Sequence, residues 1–312
     1  MTGDGKALLK LIAGLGVALV PAPLVAQFPA NDVERACTVE QMKDSVKVGK
    51  FLFRSYRNLE SGESCLRVLA GQKIIFQRTN DNGGQFQIGQ AADKDFGIPA
   101  IPNGADITGR GRPNMIVSAY SGGAHCCLQH YIFELEPTFR LLATVNDMDD
   151  DVAHFERDGE RYYLHTADWT FAYWWQSFAG SPNHSVVLRY VDDEKVGGFH
   201  LAMDKMRTPT PTPEEWQKAV GSVRHELALG QRKMANDLPD ILWQEVLNLI
   251  YTDHSELAWK FIDEVSPQAQ QGTYPNLADF CGRLKKSPYW PDLEPTLRNT
   301  PAACANAKPS KR

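Results

Sequence analysis

The stretch YSGGAHCCLQHY, Tyr120 to Tyr131, gathers His125, Cys126, Cys127 and His130 into half a dozen residues. Thiols and imidazoles this close can ligate zinc, make a thiolate nucleophile with its base, or form a structural cross-link. On an extended chain His125 and Cys127 point to one face, and Cys126, Leu128 and His130 to the other, so a zinc site using all four would break the strand. The chain holds no second Cys-x-x-Cys or His-x-x-x-His pair to complete the set. The same alternation turns His125 away from Cys126, which weakens the nucleophile reading. A Gly122-Gly123 turn feeding a Cys126–Cys127 disulfide, or two small thiols buried under a sheet, accounts for the segment best. Bonding of adjacent cysteines strains the backbone, and such strain is found at binding sites.

Three further constellations could do chemistry. In NDMDDD, Asn146, Asp147, Asp149, Asp150 and Asp151 could offer oxygens to a hard cation; Asp147, Asp149 and Asp151 are the calcium candidates, against the simpler reading of a solvated acidic loop. In DWTFAYWWQSF, a strand would line Trp169, Phe171, Tyr173 and Trp175 on one face, with Thr170, Ala172 and Trp174 on the other. Exposed, that row would suit a sugar ring or an extended peptide; burial in the sheet core is the expectation, with one or two rings reaching a surface or a neighbouring module. His165, Asp168 and Ser181 have the types of a hydrolase triad, but no Gly-x-Ser-x-Gly elbow supports it and Ser181-Pro182-Asn183 reads as a turn.

ADITGRGRPNMIV sets Asp106, Thr108, Arg110 and Asn114 around two glycines, directly before an apolar strand. This resembles the Asp-x-Asn-Gly-Asp-Gly-x-Pro-Asp loop of FG-GAP/VCBS repeat proteins, whose repeats are blades of integrin-type β-propellers and whose loops commonly hold calcium. The continuation SAYSGGAHCC and the later ADWTFAYWWQSFAGSPNHSVVLRY are similar to a family of exported bacterial proteins with no assigned activity. The likeness covers roughly residues 45 to 290 and implies fold and location more than function. This loop departs from the calcium pattern, because Arg110 stands where a carboxylate should be. The expectation is that Arg110 pairs with Asp106 and keeps the turn without a metal.

The elements that must position these residues are legible in part. FLFRSYR (51–57), CLRVLA (65–70), KIIFQR (73–78), QFQI (85–88), NMIVSAY (114–120), LQHYIFEL (128–135), FRLLATV (139–145) and SVVLRYV (185–191) read as strands divided by turns such as NDNGG, EPT and RDGE. At MRTPTPTPEEW alternating Thr and Pro end the sheet pattern. Thr212 is then an N-cap, Pro213 the first helical residue, and Glu215 the partner in a capping box. Apolar stripes follow at helical spacing over Trp216–Leu227, Leu242–Ile250 and Leu257–Val265. The fold class is α+β: an antiparallel, propeller-blade-like β domain (27–204), then a small all-α module with a C-terminal tail (205–312).

Of 312 residues 43% are hydrophobic and 23% charged, enough for real cores. Lys6 and Lys10, the apolar run Leu11–Val20, Pro21, Pro23 and Ala26 make residues 1–26 a secretory signal, too short to span a bilayer. Cleavage would move the formal charge from −5 to −6, which argues against nucleic acid as a partner. Export favours disulfides, and locality pairs Cys37 with Cys65, Cys281 with Cys304, and Cys126 with Cys127, one of 15 possible arrangements. The expected function is an exported, non-catalytic binding protein of the cell envelope, periplasmic or secreted, that binds an envelope ligand or protein. Its surface would be built from Asp106, Arg110, Ser121, Gly122, Gly123, His125, Trp169 and Trp175. No cofactor is required beyond the calcium considered above. The alternatives are a thiol-dependent or hydrolytic enzyme using His125 with Cys126 or Cys127, and a structural envelope component.

Overall fold

A computed structural model describes residues 32–33, 37–39, 41–80, 83–123, 126–150, 152–174, 177–230, 240–265 and 276–309. The sequence repeats one local solution three times: a short strand, a tight turn, and a strand returning beside it. The first sheet is β2 (Met42–Val48), β3 (Phe51–Arg57), β4 (Ser64–Ala70) and β5 (Lys73–Asn80), extended by β1 (Asp32–Val33) lying parallel to β5. The second is β6 (Gln85–Ile88), β7 (Asn114–Gly123), β8 (Cys126–Glu134) and β9 (Arg140–Met148). The third is β10 (His154–Asp158), β11 (Arg161–Asp168), β12 (His184–Val191) and β13 (Gly198–Leu201). Apart from β1, each is a four-stranded antiparallel meander in chain order, and none closes into a barrel.

Three hairpins turn on a Gly-X pair. Gly49, Gly71 and Gly159 each take the first central position with φ of 56°, 63° and 63°, the pattern whose twist matches antiparallel strands. An L side chain in that position would be strained.

The second sheet is covered on both faces, which explains why β7 is a nearly unbroken apolar run. One face sends Met115, Val117, Phe133 and Leu141 into a core shared with Phe53, Leu66, Val68 and Phe76 of the first sheet. Phe133 is the centre of that core, with ring centroids 4.9 Å from Phe76 and 5.5 Å from both Phe53 and Phe139. The other face sends Ile116, Ile132 and Val145 into a second core with Phe155, Leu164, Val186 and Leu188 of the third sheet.

That second core continues into the helices α1 (Met203–Met206), α2 (Pro213–Gly230), α3 (Asp240–Tyr251), α4 (Ser255–Val265), α5 (Leu277–Leu284), α6 (Trp290–Leu293) and α7 (Ala302–Ala305). The architecture is α+β, and the β domain and helical module share one continuous apolar interior from Ile116 to Phe280. The capping box forms as its spacing predicts: the Thr212 amide donates to Glu215 Oε2 at 2.8 Å, and the Glu215 amide to Thr212 Oγ1 at 3.2 Å.

Cys37–Cys65 ties the entry of the chain to β4, and Cys281–Cys304 ties α5 to α7. None of the described helices is long and apolar enough to cross a membrane. Residues 1–26, read as a signal, lie outside the described residues, as do His125, Asp151 and Trp175.

Phe133→Ala removes the ring at the centre of the core between the first and second sheets, and should cost about 3–5 kcal/mol in urea unfolding. Leu59→Ala, at an exposed position, should stay within about 0.5 kcal/mol of the parent.

Candidate functional site

The loop before β7 closes on itself. Asn114 Oδ1 accepts the amides of Ile107 (2.9 Å) and Thr108 (3.2 Å), and Asp106 accepts the amides of Arg110 (3.0 Å) and Gly111 (2.6 Å). Asp106 therefore binds the Arg110 backbone and not its guanidinium, a correction to the expected ion pair. With its carboxylate filled by the turn, Asp106 leaves the guanidinium free to reach inward. There Arg110 Nε donates to Glu134 Oε2 at 2.9 Å, and its Nη1 to Asp192. Arg112 and Arg140 reach Glu134 Oε1 at 3.0 Å and 2.8 Å. Glu134 is buried and answered by three guanidiniums, a firm anchor for the end of β8.

Ser121, Gly122 and Gly123 lie at the other end of the same hairpin, separated from the Asp106 loop by the length of β7, roughly 30 Å. Ser121 Oγ accepts the Cys127 amide at 2.6 Å, and the Tyr120 hydroxyl donates to the Gly123 carbonyl. Cys127 is disulfide-bonded and no described cysteine is free. A sulfur so bonded is not a thiolate nucleophile.

The aromatic segment after β11 is not a strand. The Ala172 amide donates to the Trp169 carbonyl and the Trp174 amide to that of Phe171, so Trp169 to Trp174 fold into successive turns. Strand alternation therefore does not apply to them. Phe171 and Trp174 are buried against Phe280 and Trp243 of the helical module, Trp169 stacks on Phe178 at 4.6 Å, and Tyr173 is exposed. Trp174 Nε1 donates to Asp279 at 2.9 Å, and Arg283 donates to the carbonyls of Thr170 (2.6 Å) and Ala172 (3.1 Å). These rings join the sheets to the helices.

Asp147 and Asp168 occupy the interior beside this joint. Asp147 Oδ2 meets His130 Nδ1 at 2.6 Å, both side chains fully enclosed. Asp149 and Asp150 are half-buried, so the described acids of this run are not simply solvated. Asp168 accepts from the Tyr251 hydroxyl, from Ser287 Oγ at 2.6 Å and from the Thr170 amide at 2.7 Å. Burial, reinforced by the neighbouring Asp168, pushes the Tyr251 hydroxyl well above its usual range. The Tyr289 hydroxyl is raised likewise, by burial first and then by Asp147, Asp168 and Asp150. His165 stacks on His154 and Ser181 bonds the Tyr173 amide, so neither joins Asp168 in a triad. Among the described residues no three His, Cys, Asp or Glu side chains converge to hold a metal ion.

The open space lies elsewhere. A cavity of about 640 Å3 sits between the extended segment Thr208–Thr212, α2 and α3. Trp216, Ala219, Ile241, Leu249 and Phe261 line it, with Glu245 among them. Glu245 forms no hydrogen bond or ion pair among the described residues, and desolvation alone raises its pKa. Its sequence signal is plain once the wall is known: Ile241, Glu245 and Leu249 fall at i, i+4 and i+8, a single acid on an otherwise apolar face. A second groove, of about 470 Å3, runs along β9 to Phe199 and Tyr289, and its lining carries no charged side chain. Comparison of the chain with family models, with curated proteins and with solved structures gives no match in any of the three.

Two measurements check these electrostatics. Glu134→Ala leaves three guanidiniums around an empty centre and should cost about 3 kcal/mol, whereas Arg112→Ala, on a half-exposed partner, should cost under about 1 kcal/mol. His200 Nδ1 meets Asp292 Oδ1 at 2.8 Å, and this bond raises the His200 pKa above its usual 6.5 despite opposing burial. A raised histidine stabilises the fold when protonated, so its contribution is full below the unfolded value and fades as pH climbs through the folded one. The stability gap between the parent and His200→Gln should be wider at about pH 5.5 than at about pH 8.5 in paired urea titrations. His184, lowered by burial, acts in the opposite sense but is common to both proteins and drops out of the difference.

Proposed function

We propose that this chain is an exported, non-catalytic binding protein of the cell envelope, and that it holds a small ligand in the cavity between the Thr208–Thr212 segment, α2 and α3. The observation that carries the reading is Glu245: an unpartnered carboxylate on the wall of a cavity of about 640 Å3. Such a volume, with an apolar and aromatic wall from Trp216, Ala219, Ile241, Leu249 and Phe261 facing threonines, Ser222, Lys218 and two glutamates, suits a small-molecule site. The acids of the β domain offer no comparable opening. Glu134, Asp147 and Asp168 each face donors inside the protein, and none is coupled to a free nucleophile at a cavity. Export is supported by the signal-like residues 1–26 and by two disulfides, Cys37–Cys65 and Cys281–Cys304.

The surface expected from the sequence gives way in this proposal to the helical cavity. Asp106 and Arg110 are occupied in the turn and at Glu134, and the Ser121–Gly123 end of the hairpin stands a strand length away.

A fragment screen by ligand-observed NMR tests the assignment, with Ala219→Trp as the blocked protein, because a bulky ring at Ala219 fills the cavity wall. Most fragment signals should disappear in the blocked variant, and p-nitrophenyl acetate should not be turned over above the buffer rate. Turnover that vanishes in Cys127→Ser would replace this reading with the thiol enzyme.

A further inference from the structure

The ligand class follows from what the cavity lacks. Its walls are preformed. Pro209 and Pro211 fix an extended segment, which is held at one end by His254 Nε2 against the Thr208 carbonyl (2.9 Å) and at the other by the Thr212–Glu215 box. Trp216 is locked as well, its Nε1 donating to Glu264 at 2.8 Å and its ring set edge-on to Phe261 at 5.3 Å. A rigid aromatic wall of this kind spends little entropy on binding.

Within these walls Glu245 is the one acid without a task. Glu215 is used by the cap, and Lys218 stands exposed on the rim, paired with neither acid. A half-buried carboxylate with no donor is costly, and the cost is relieved by a cation that brings its own N–H groups. A metal ion would need more ligands than a single carboxylate, and none of the described His, Cys, Asp or Glu side chains forms a set of three. An organic ammonium answers both features at once: the charge meets Glu245, and an apolar body packs against Trp216, Phe261 and Leu249, where the ring faces add to the attraction.

Resting on the binding reading above, we propose that the cavity selects primary ammonium compounds carrying an aromatic or aliphatic body, with Glu245 as the charge-recognising residue.

Isothermal titration of the full mature chain with phenethylamine and with 2-phenylethanol, its neutral counterpart, tests this directly. The parent should bind the amine about tenfold tighter than the alcohol, the worth of one partly desolvated ion pair. Glu245→Gln should erase the preference while leaving alcohol binding unchanged. Its melting temperature should equal or exceed the parent's, since an unpaired charge is removed, and this shows that the variant is folded. Equal affinity for amine and alcohol in the parent would overturn the charge assignment and leave the cavity as a neutral binding site. Amine binding that survives Glu245→Gln would overturn it too. Binding of neither probe would overturn the inference and the cavity reading together.

Discussion

A carboxylate removed from water persists only where donors surround it, and Asp168 finds them on three separate elements. Its own turn supplies the Thr170 amide, α3 supplies the Tyr251 hydroxyl, and the turn after α5 supplies Ser287 Oγ. Because two of the three donors come from parts of the chain distant in sequence, the carboxylate is fully satisfied only when the third sheet and the helices are already docked. The aromatic turn beside it adds the apolar share of that joint through Phe171 and Trp174, and Arg283 closes it by bonding the carbonyls of the turn itself. The cavity depends on this docking, since α3 forms both the cavity wall through Glu245 and the joint through Tyr251.

What the sequence reveals divides along the line between local and long-range physics. The capping box at Thr212 and Glu215 is legible because its partners are three residues apart. Strands β3, β6 and β12 are legible because each buries an alternating apolar set between turn residues. β2, MKDSVKV, escapes because it is an exposed edge with hardly a buried side chain, and β10 because only Phe155 of HFERD is inside. β11 keeps Thr166 and Asp168 on its buried positions, which breaks the alternation that would have marked it.

The same division explains the sites. The loop at Asp106 closes through side-chain bonds four to seven residues long, and its turn-forming role can be seen from its composition. The destination of Arg110 cannot, because Glu134 and Asp192 are 24 and 82 residues away. DWTFAYWWQSF looks like a strand by its aromatics, but two successive turn bonds win because they let Phe171 and Trp174 reach the helical core together. Strand propensity is a preference for a pleated, half-buried surface, and here the better-buried alternative was a turn.

Three enclosed acids and the half-buried Glu245 make the final contrast. Glu134 is met by three guanidiniums, Asp147 by His130, and Asp168 by two hydroxyls and an amide. For Glu134 and Asp168 the fold supplies donors to both oxygens, whereas Asp147 is met on Oδ2 and its Oδ1 has no partner among the described residues. Glu245 is treated differently: the chain sets it on an apolar helix face, withdraws part of its water, and supplies no donor among the described residues. An acid placed so would be disfavoured by stability alone, since leucine or isoleucine would extend the face of Ile241 and Leu249 at no electrostatic cost. With Glu134 and Asp168 answered on both oxygens, Asp147 on Oδ2 alone, and Glu245 on neither among the described residues, Glu245 is the acid that the proposed cavity site would use.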